Sequence, residues 1–583
     1  MFIKLILSSD AENIAVICTM NFYNYEGPND LLQLTNSDLP HFCNDLRDYL
    51  IGEILQQGGH FAANLGVVEL CVTLMVKYPV EKHPFIWDVG HQSYPFKILT
   101  HRKNEIKNIR SFEGISGFPK ISESPFDSFG TGHSSTAISA AMGMAWAKKS
   151  QSINESQTVI CIVGDGALTG GMSFEALNNI KSSQLDILIV YNDNGMGIDP
   201  NAGAIHQANP AEVKAWFEFF GLQYSGPVDG HNTHDLIDAI DSIKLHPGPK
   251  LLHVKTIKGK GYAPAELEQT KWHSAPKYVK VQPTNTATRS WHEAFGDIIH
   301  ELASANSHVM GITPAMPSSS GLSKCIQEFP DRFIDVTIAE QHAMTFAAGI
   351  AKAGKRPIVA IYSTFLQRAY DQLIHDVALQ NLPVIISIDR AGLVGEDGPT
   401  HHGAFDLAFL LPIPNLQIYA PANETELKST LEIALSLNKP ICIRYPKGPI
   451  PALPQIIAGP FSWLIQNSNN RILCITTGKT TELLGEIKEH LEPLNINWLH
   501  VCQIKPIPDF GNLSQYEKII TIEDGAVIGG MGQYLEQNIK NQAHWKHLGI
   551  QDDFIPHGNN KILYELAGYG PKALLKTLTD TLN

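Results

Sequence analysis

Residues 161–180 read CIVGDGALTGGMSFEALNNI, and residues 188–198 read LIVYNDNGMGI. Each opens with an apolar, β-branched run of strand length, and the first passes through Gly-Asp-Gly into a helical apolar pattern. Gly164 and Gly166 let the backbone turn sharply and approach a ligand closely. The helix opening after them presents free N–H groups and a positive dipole end, a seat for phosphate. Asp165 is a hard carboxylate at the end of the first strand, and the second strand ends in Asn192, Asp193 and Asn194. Magnesium takes oxygen ligands in a near-octahedral shell at ~2.0–2.1 Å. Asp165, the amide oxygen of Asn194 and the backbone carbonyl of Met196 are the candidate protein ligands. The two stretches therefore predict a strand–turn–helix–strand unit that holds a metal-bridged diphosphate.

The same alternation of buried-strand runs with amphipathic stretches extends over the whole chain. KLLHVKTI (250–257), RPIVAIYS (356–363), LPVIISIDR (382–390), NRILCITTG (470–478), NINWLHVCQ (495–503) and KIITIEDG (518–525) all read as strands of mostly parallel sheets covered by helices. A polar run at 281–290 and a proline-rich one after RYPKG mark breaks. The expectation is an α/β protein with domains at 20–282, 291–448 and 455–583. Residues 1–19 are expected to be a disordered extension, with Met20 a candidate natural start, since Lys4, Asp10 and Glu12 spoil a targeting signal.

At 583 residues the chain needs several cores. Its net charge of -14 argues against a general nucleic-acid binder, and it has no apolar run long enough to span a bilayer. The eight scattered cysteines form no C-x-x-C pair and read as buried free thiols of a cytoplasmic protein.

The spacing of the GDG and NDN elements resembles the thiamine diphosphate signature of the transketolase superfamily. That cofactor requires a carboxyl group on its aminopyrimidine. Glu340 in DVTIAEQHAMTFAAG, at a strand end and helix start, is the candidate. Phe365 and Tyr362 in YSTFLQRAYDQ are aromatic faces for the pyrimidine.

Longer strings narrow the resemblance. DVGHQSYPFKIL (88–99), SGFPKISESPFDSFGTGHSSTAISAAMGMA (116–145), GPVDGHN (226–232), KGKGYAPAE (258–266), IAEQHAMTFAAG (338–349) and DRAGLVGEDGPTHHGAFDLAFL (389–410) make the chain, from about residue 28 onward, similar to the 1-deoxy-D-xylulose-5-phosphate synthase family. The resemblance implies three transketolase-like α/β domains: a diphosphate/Mg domain, an aminopyrimidine domain and a C-terminal domain. It implies decarboxylative condensation of pyruvate with D-glyceraldehyde 3-phosphate, the entry to non-mevalonate isoprenoid synthesis, and a homodimer. It implies cofactor contacts from His91, Gly132, His133, Ser134, Gly166, Ala167, Asn194, Tyr262, Glu340 and Phe365. Catalytic roles fall to Glu340, His60, His273 and His401, and substrate contacts to Tyr362, Arg390, Asp397 and Arg444, the arginines gripping the acceptor phosphate.

Three departures stand out. Just past Met196 the chain lacks several tens of residues that the family usually carries, which bears on how the cleft closes. His101 replaces a usual glycine. Residues 317–320, Pro-Ser-Ser-Ser, lack the family's usual charges. Three other readings compete: a transketolase-like transfer from a ketose phosphate, a 2-oxoacid dehydrogenase component, and a catalytically dead relative. The DRAG (389–392) and HHGAFD (401–406) contexts speak against the first, the lack of a lipoyl domain against the second, and the complete set Asp165, Asn194, Glu340 and His401 against the third.

Overall fold

The computed structural model describes residues 21–150, 157–181, 183–276, 289–453 and 455–582. The expected N-terminal extension, residues 1–19, and most of the polar linker lie outside them.

The strand runs assemble into three main sheets. The first is wholly parallel, in the order Phe85–Trp87, Val159–Gly164, Ile187–Asp193, Lys250–Lys255, Gln223–Asp229. Helices cover both faces, so Ile160, Ile162, Leu188 and Val190 on one face and Cys161, Val163, Ile187 and Ile189 on the other are all buried. This two-sided burial is why the strands read as unbroken apolar runs.

The second sheet has seven strands, in the order Gln503–Lys505, Gln417–Tyr419, Ile441–Pro446, Ile385–Ala391, Arg356–Tyr362, Val309–Thr313, Phe333–Asp335. Helix Glu340–Lys352 packs its small face, Ala343, Met344, Ala347 and Ala351, into that core. The third sheet runs Phe461–Ile465, Ile496–Val501, Ile472–Thr476, Lys518–Ala526, His544–Ile550.

The expected division at 448/455 does not cut the second sheet cleanly. Gln503–Lys505, from the C-terminal part, pairs antiparallel with Gln417–Tyr419, and Ala420 donates its N–H to the Cys502 carbonyl at 2.7 Å. The edge strand is thereby covered rather than left open.

Seven cysteines are free and buried; Cys18 lies outside the described residues. His101 holds a left-handed backbone (φ 66°). Its Nδ1 lies 3.1 Å from the Glu26 carbonyl and its ring lies against Gly27, so the substitution ties down the N-terminal segment. The segment after Met196 folds into helix Pro210–Phe219, whose first turn is closed by a reciprocal Asn209–Glu212 capping box. No helix among the described residues is long and apolar enough to cross a membrane.

Candidate active site

In open parallel sheets ligands bind beyond the carboxyl ends of the strands. Here two such edges face each other across one cavity. Asp88, Asp165, Asn194 and Lys258 come from loops of the first sheet; Pro314, Glu340 and Phe365 come from the second, and all line it.

At the first-sheet end Asp165 is fully buried, and its carboxylate accepts from the N–H groups of Gly166 (2.8 Å), Asn194 (3.0 Å) and Gly195. Burial, helped by the charge of Asp193, pushes its pKa up to about 6 against those three amides. A cation beside it would relieve that cost. The Asn194 side-chain oxygen accepts from the Met196 N–H at 2.9 Å. Gly166, Ala167, Asn194 and Met196 share the cavity wall. Carboxylate, amide and carbonyl oxygens form a donor set suited to a hard divalent ion.

Lys258 supplies the cation here, a residue that the sequence reading missed. Its Nζ donates to the Gly197 carbonyl at 2.6 Å, and burial lowers its pKa to about 8. The available signal was a lysine just past a strand end on the edge that carries Asp165. Tyr262, expected on this side, packs edge-on against Phe61 (5.3 Å) and Trp272 (5.2 Å) and is not part of the cavity wall.

At the second-sheet end Glu340 opens its helix with the carboxyl at the cavity wall. Burial raises its pKa, and the nearby Arg368 opposes the rise. Arg368 donates to the Ser134 carbonyl (2.8 Å) and hydroxyl (2.9 Å), tying the GTGHSS loop to this side. Gly132 must be glycine, because a Cβ would fall 2.5 Å from the Thr400 Cβ. His133 Nε2 lies 2.9 Å from both Thr364 Oγ1 and the Thr400 carbonyl, a bond between the two units. Phe365 lines the cavity and stacks on Tyr362 at 5.6 Å.

Between the two ends lie His60, His91, His273 and His401. The first three rings are mutually 5.3–5.9 Å apart, and Phe118 stands between His60 (5.1 Å) and His401 (5.0 Å). Burial keeps all four neutral at pH 7, lowering His91 to about 3 and His401 to about 4, with His60 and His273 also well below the ordinary value. Among the described residues His91 Nδ1 and His273 Nδ1 are buried without a hydrogen-bond partner. A cleft with an oxygen-ligand turn at one end, a buried carboxyl and aromatic face at the other, and unpartnered polar atoms between fits thiamine diphosphate with Mg2+.

The expected substrate residues divide. Asp397 accepts from Arg110 at 2.6 Å and lies 3.9 Å from His60 and 3.7 Å from Lys447; the Arg110 charge, with that of Lys447, holds its carboxyl far below the usual range despite burial. Arg390 sits over the Tyr362 ring at 4.1 Å, pairs with Asp389 and donates to the Ser319 carbonyl at 3.1 Å. Arg444 is elsewhere. It is buried, with Nε 3.0 Å from Asp406 and Nη1 2.7 Å from Asp524, both buried. It bridges the second and third units and does not reach the cavity; Lys447, past the strand end, comes to Asp397 instead.

The chain is similar to known proteins over nearly its full length. Residues 22–214 and 208–256 match the 1-deoxy-D-xylulose-5-phosphate synthase family, and residues 287–451 match the transketolase pyrimidine-binding domain. The chain is 40% identical to the 1-deoxy-D-xylulose-5-phosphate synthase of Aquifex aeolicus, over 96% of this chain and 98% of that protein. It is 42% identical to that of Cytophaga hutchinsonii, over 95% and 97%. Among solved structures, a transketolase from Campylobacter jejuni aligns at 19% identity with a TM-score of 0.46, over 93% of this chain and 99% of that one. At 40–42% identity over nearly its full length, the chain belongs to the 1-deoxy-D-xylulose-5-phosphate synthase family, within the transketolase-like α/β enzymes.

Proposed function

We propose that this enzyme condenses pyruvate with D-glyceraldehyde 3-phosphate, releasing carbon dioxide and forming 1-deoxy-D-xylulose 5-phosphate, with thiamine diphosphate and Mg2+ in the cleft. The observation that carries the reading is a single cavity lined by the Asp165–Asn194 turn and by Glu340, in a chain of this family. Asp165, Asn194 and the Met196 carbonyl would hold the metal, and Lys258 with the Gly166 and Ala167 backbone the diphosphate. When bound, thiamine diphosphate supplies a nucleophilic thiazolium carbon and a sink for the electrons left by departing carbon dioxide.

The rest of the chemistry belongs to the protein. Glu340 at the cavity wall, its pKa raised by burial, would exchange a proton with the aminopyrimidine, and Phe365 on the same wall would cover that ring. Neutral His60, His273 and His401 each present one N–H and one lone pair, so they donate to a carbonyl or alkoxide oxygen without adding charge. Asp397 orients the acceptor hydroxyls, and Arg390 with Lys447 offers the positive charge for the acceptor phosphate. The protein acts in the cytoplasm as a homodimer. Exposed apolar side chains on three neighbouring segments, Met172, Phe174, Phe346, Ile374 and Leu379, support a face that a second copy covers.

The test is donor choice. With the same aldehyde acceptor, pyruvate should give product and a ketose phosphate should not. Two-carbon transfer from the ketose, with no turnover of pyruvate, would replace this reading by the transketolase-like one.

A further inference from the structure

Two of the sequence departures meet in space. The shortened segment begins at Met196 and the uncharged loop runs from Met316 to Gly321, more than a hundred residues later. Asp199 of the first accepts two hydrogen bonds from Ser318 of the second: from its backbone N–H at 3.1 Å and its hydroxyl at 2.8 Å, both to Oδ2. The bonds cross from the first unit to the second, over the cavity, whose wall includes Gly197, Ile198, Ala315 and Met316.

Each end of this connection is itself anchored to functional groups. On the Asp199 side, Lys258 holds the Gly197 carbonyl, Gly197 N–H donates to the Asp199 carbonyl (3.0 Å), and Asn201 N–H returns to Gly195 (3.0 Å) beside Asn194. On the Ser318 side, the next carbonyl, Ser319, receives Arg390 at 3.1 Å. Ala315, at φ 61°, is fixed by Asp335 through its N–H at 2.8 Å. The carboxylate tolerates this position because the facing residues 317–320 carry no charge. An acidic side chain at residue 318 would meet Asp199 as a like charge and remove its hydroxyl donor.

We propose that Asp199 and Ser318 form a latch between the two units, making Asp199 a positioning residue that sets the metal-binding turn and the Arg390 loop in register across the cleft. The inference rests on the reading of the cleft as a thiamine diphosphate site.

The test is a double-mutant cycle on the full chain, read in two ways. In cofactor-free protein, Asp199→Ala should speed hydrogen exchange in peptides spanning 197–207 and 315–322. By calorimetry with Mg2+, it should raise the dissociation constant of thiamine diphosphate about tenfold, the scale of losing charge-assisted hydrogen bonds. Asp199→Asn, which keeps an acceptor, should recover part of that loss. Ser318→Glu should weaken binding strongly in the parent and much less in the Asp199→Ala background, since the repulsion is then gone. Equal effects of Ser318→Glu in both backgrounds, or unchanged exchange in both peptides, would overturn the latch. A parent protein that takes up no thiamine diphosphate would instead sink the functional reading, and the exchange measurements would still decide the latch.

Discussion

Arg444 separates two readings of the cleft, because the family resemblance implies a place on the acceptor phosphate and the structure puts it in the seam between the second and third units. In Arg444→Met the Asp406 and Asp524 carboxylates, 0% and 1% exposed, lose their shared cation at 3.0 and 2.7 Å. Removing one partner of a buried ion pair costs about 3–5 kcal/mol, chiefly through the charges left behind. Among the described residues one Arg444 nitrogen and one Asp524 oxygen already have no hydrogen-bond partner, so the lower end, about 3 kcal/mol, applies. At roughly 2–4 °C per kcal/mol for a unit of this size, the melting transition should fall by about 6–12 °C. The assay is scanning calorimetry of the parent, Arg444→Met and Lys447→Ala, paired with KM for glyceraldehyde 3-phosphate well below each transition. Arg444→Met should lower the transition and leave KM within about twofold. Lys447→Ala should leave the transition in place and raise KM about tenfold, the scale of one lost charged contact. An Arg444→Met protein of unchanged melting temperature whose KM rises tenfold would refute the reasoning and return the arginine to the phosphate.

Further outcomes follow from the same geometry. The buried histidines should make the cofactor-free protein sensitive to acid. His401 and His91 have folded pKa values of about 4 and about 3, below their ordinary 6.5, so they take up protons on unfolding and stability is lost as pH falls from about 6.5 through those values. Melting temperature against pH should show this, with a shallower slope in His401→Gln; an unchanged slope would exclude His401 as a source. Lys258→Met should weaken thiamine diphosphate binding at least tenfold by calorimetry. In the parent, that affinity should fall as pH rises through about 8, where Lys258 loses its charge; an affinity flat from pH 7 to 9 would contradict the assignment. Glu340→Gln should fold normally and lose about 10²–10⁴ in kcat, the usual worth of a positioned acid–base group. Retention of most activity would remove Glu340 from the mechanism.

What the sequence revealed follows from how local the chemistry is. Asp165, Gly166, Asn194 and Met196 lie on two strand ends that are neighbours in one sheet, so a single passage of sequence carries the proposed metal turn. Glu340 was legible for the same reason, as the first residue of a helix after a strand. Arg444 was not. Its partners Asp406 and Asp524 lie 38 and 80 residues away, and nothing local distinguishes a strand arginine facing a neighbouring unit from one facing a substrate. Three residues on, Lys447 leaves the strand end and comes within 3.7 Å of Asp397. Tyr262 shows a similar limit: its motif begins at Lys258 of the cavity wall, but its ring completes a cluster with Phe61 and Trp272. The contacts of Arg110 with Asp397 and of Asp199 with Ser318 join separate units, and only the folded chain brings them together.

The most direct measurement uses pyruvate labelled with ¹³C at its carboxyl carbon, with D-glyceraldehyde 3-phosphate, thiamine diphosphate and Mg2+, and reads product and gas by mass. The account predicts that all label leaves as carbon dioxide and that an unlabelled five-carbon ketose phosphate accumulates in equal amount. Label retained in a condensed product, or carbon dioxide released with no condensation, would contradict it.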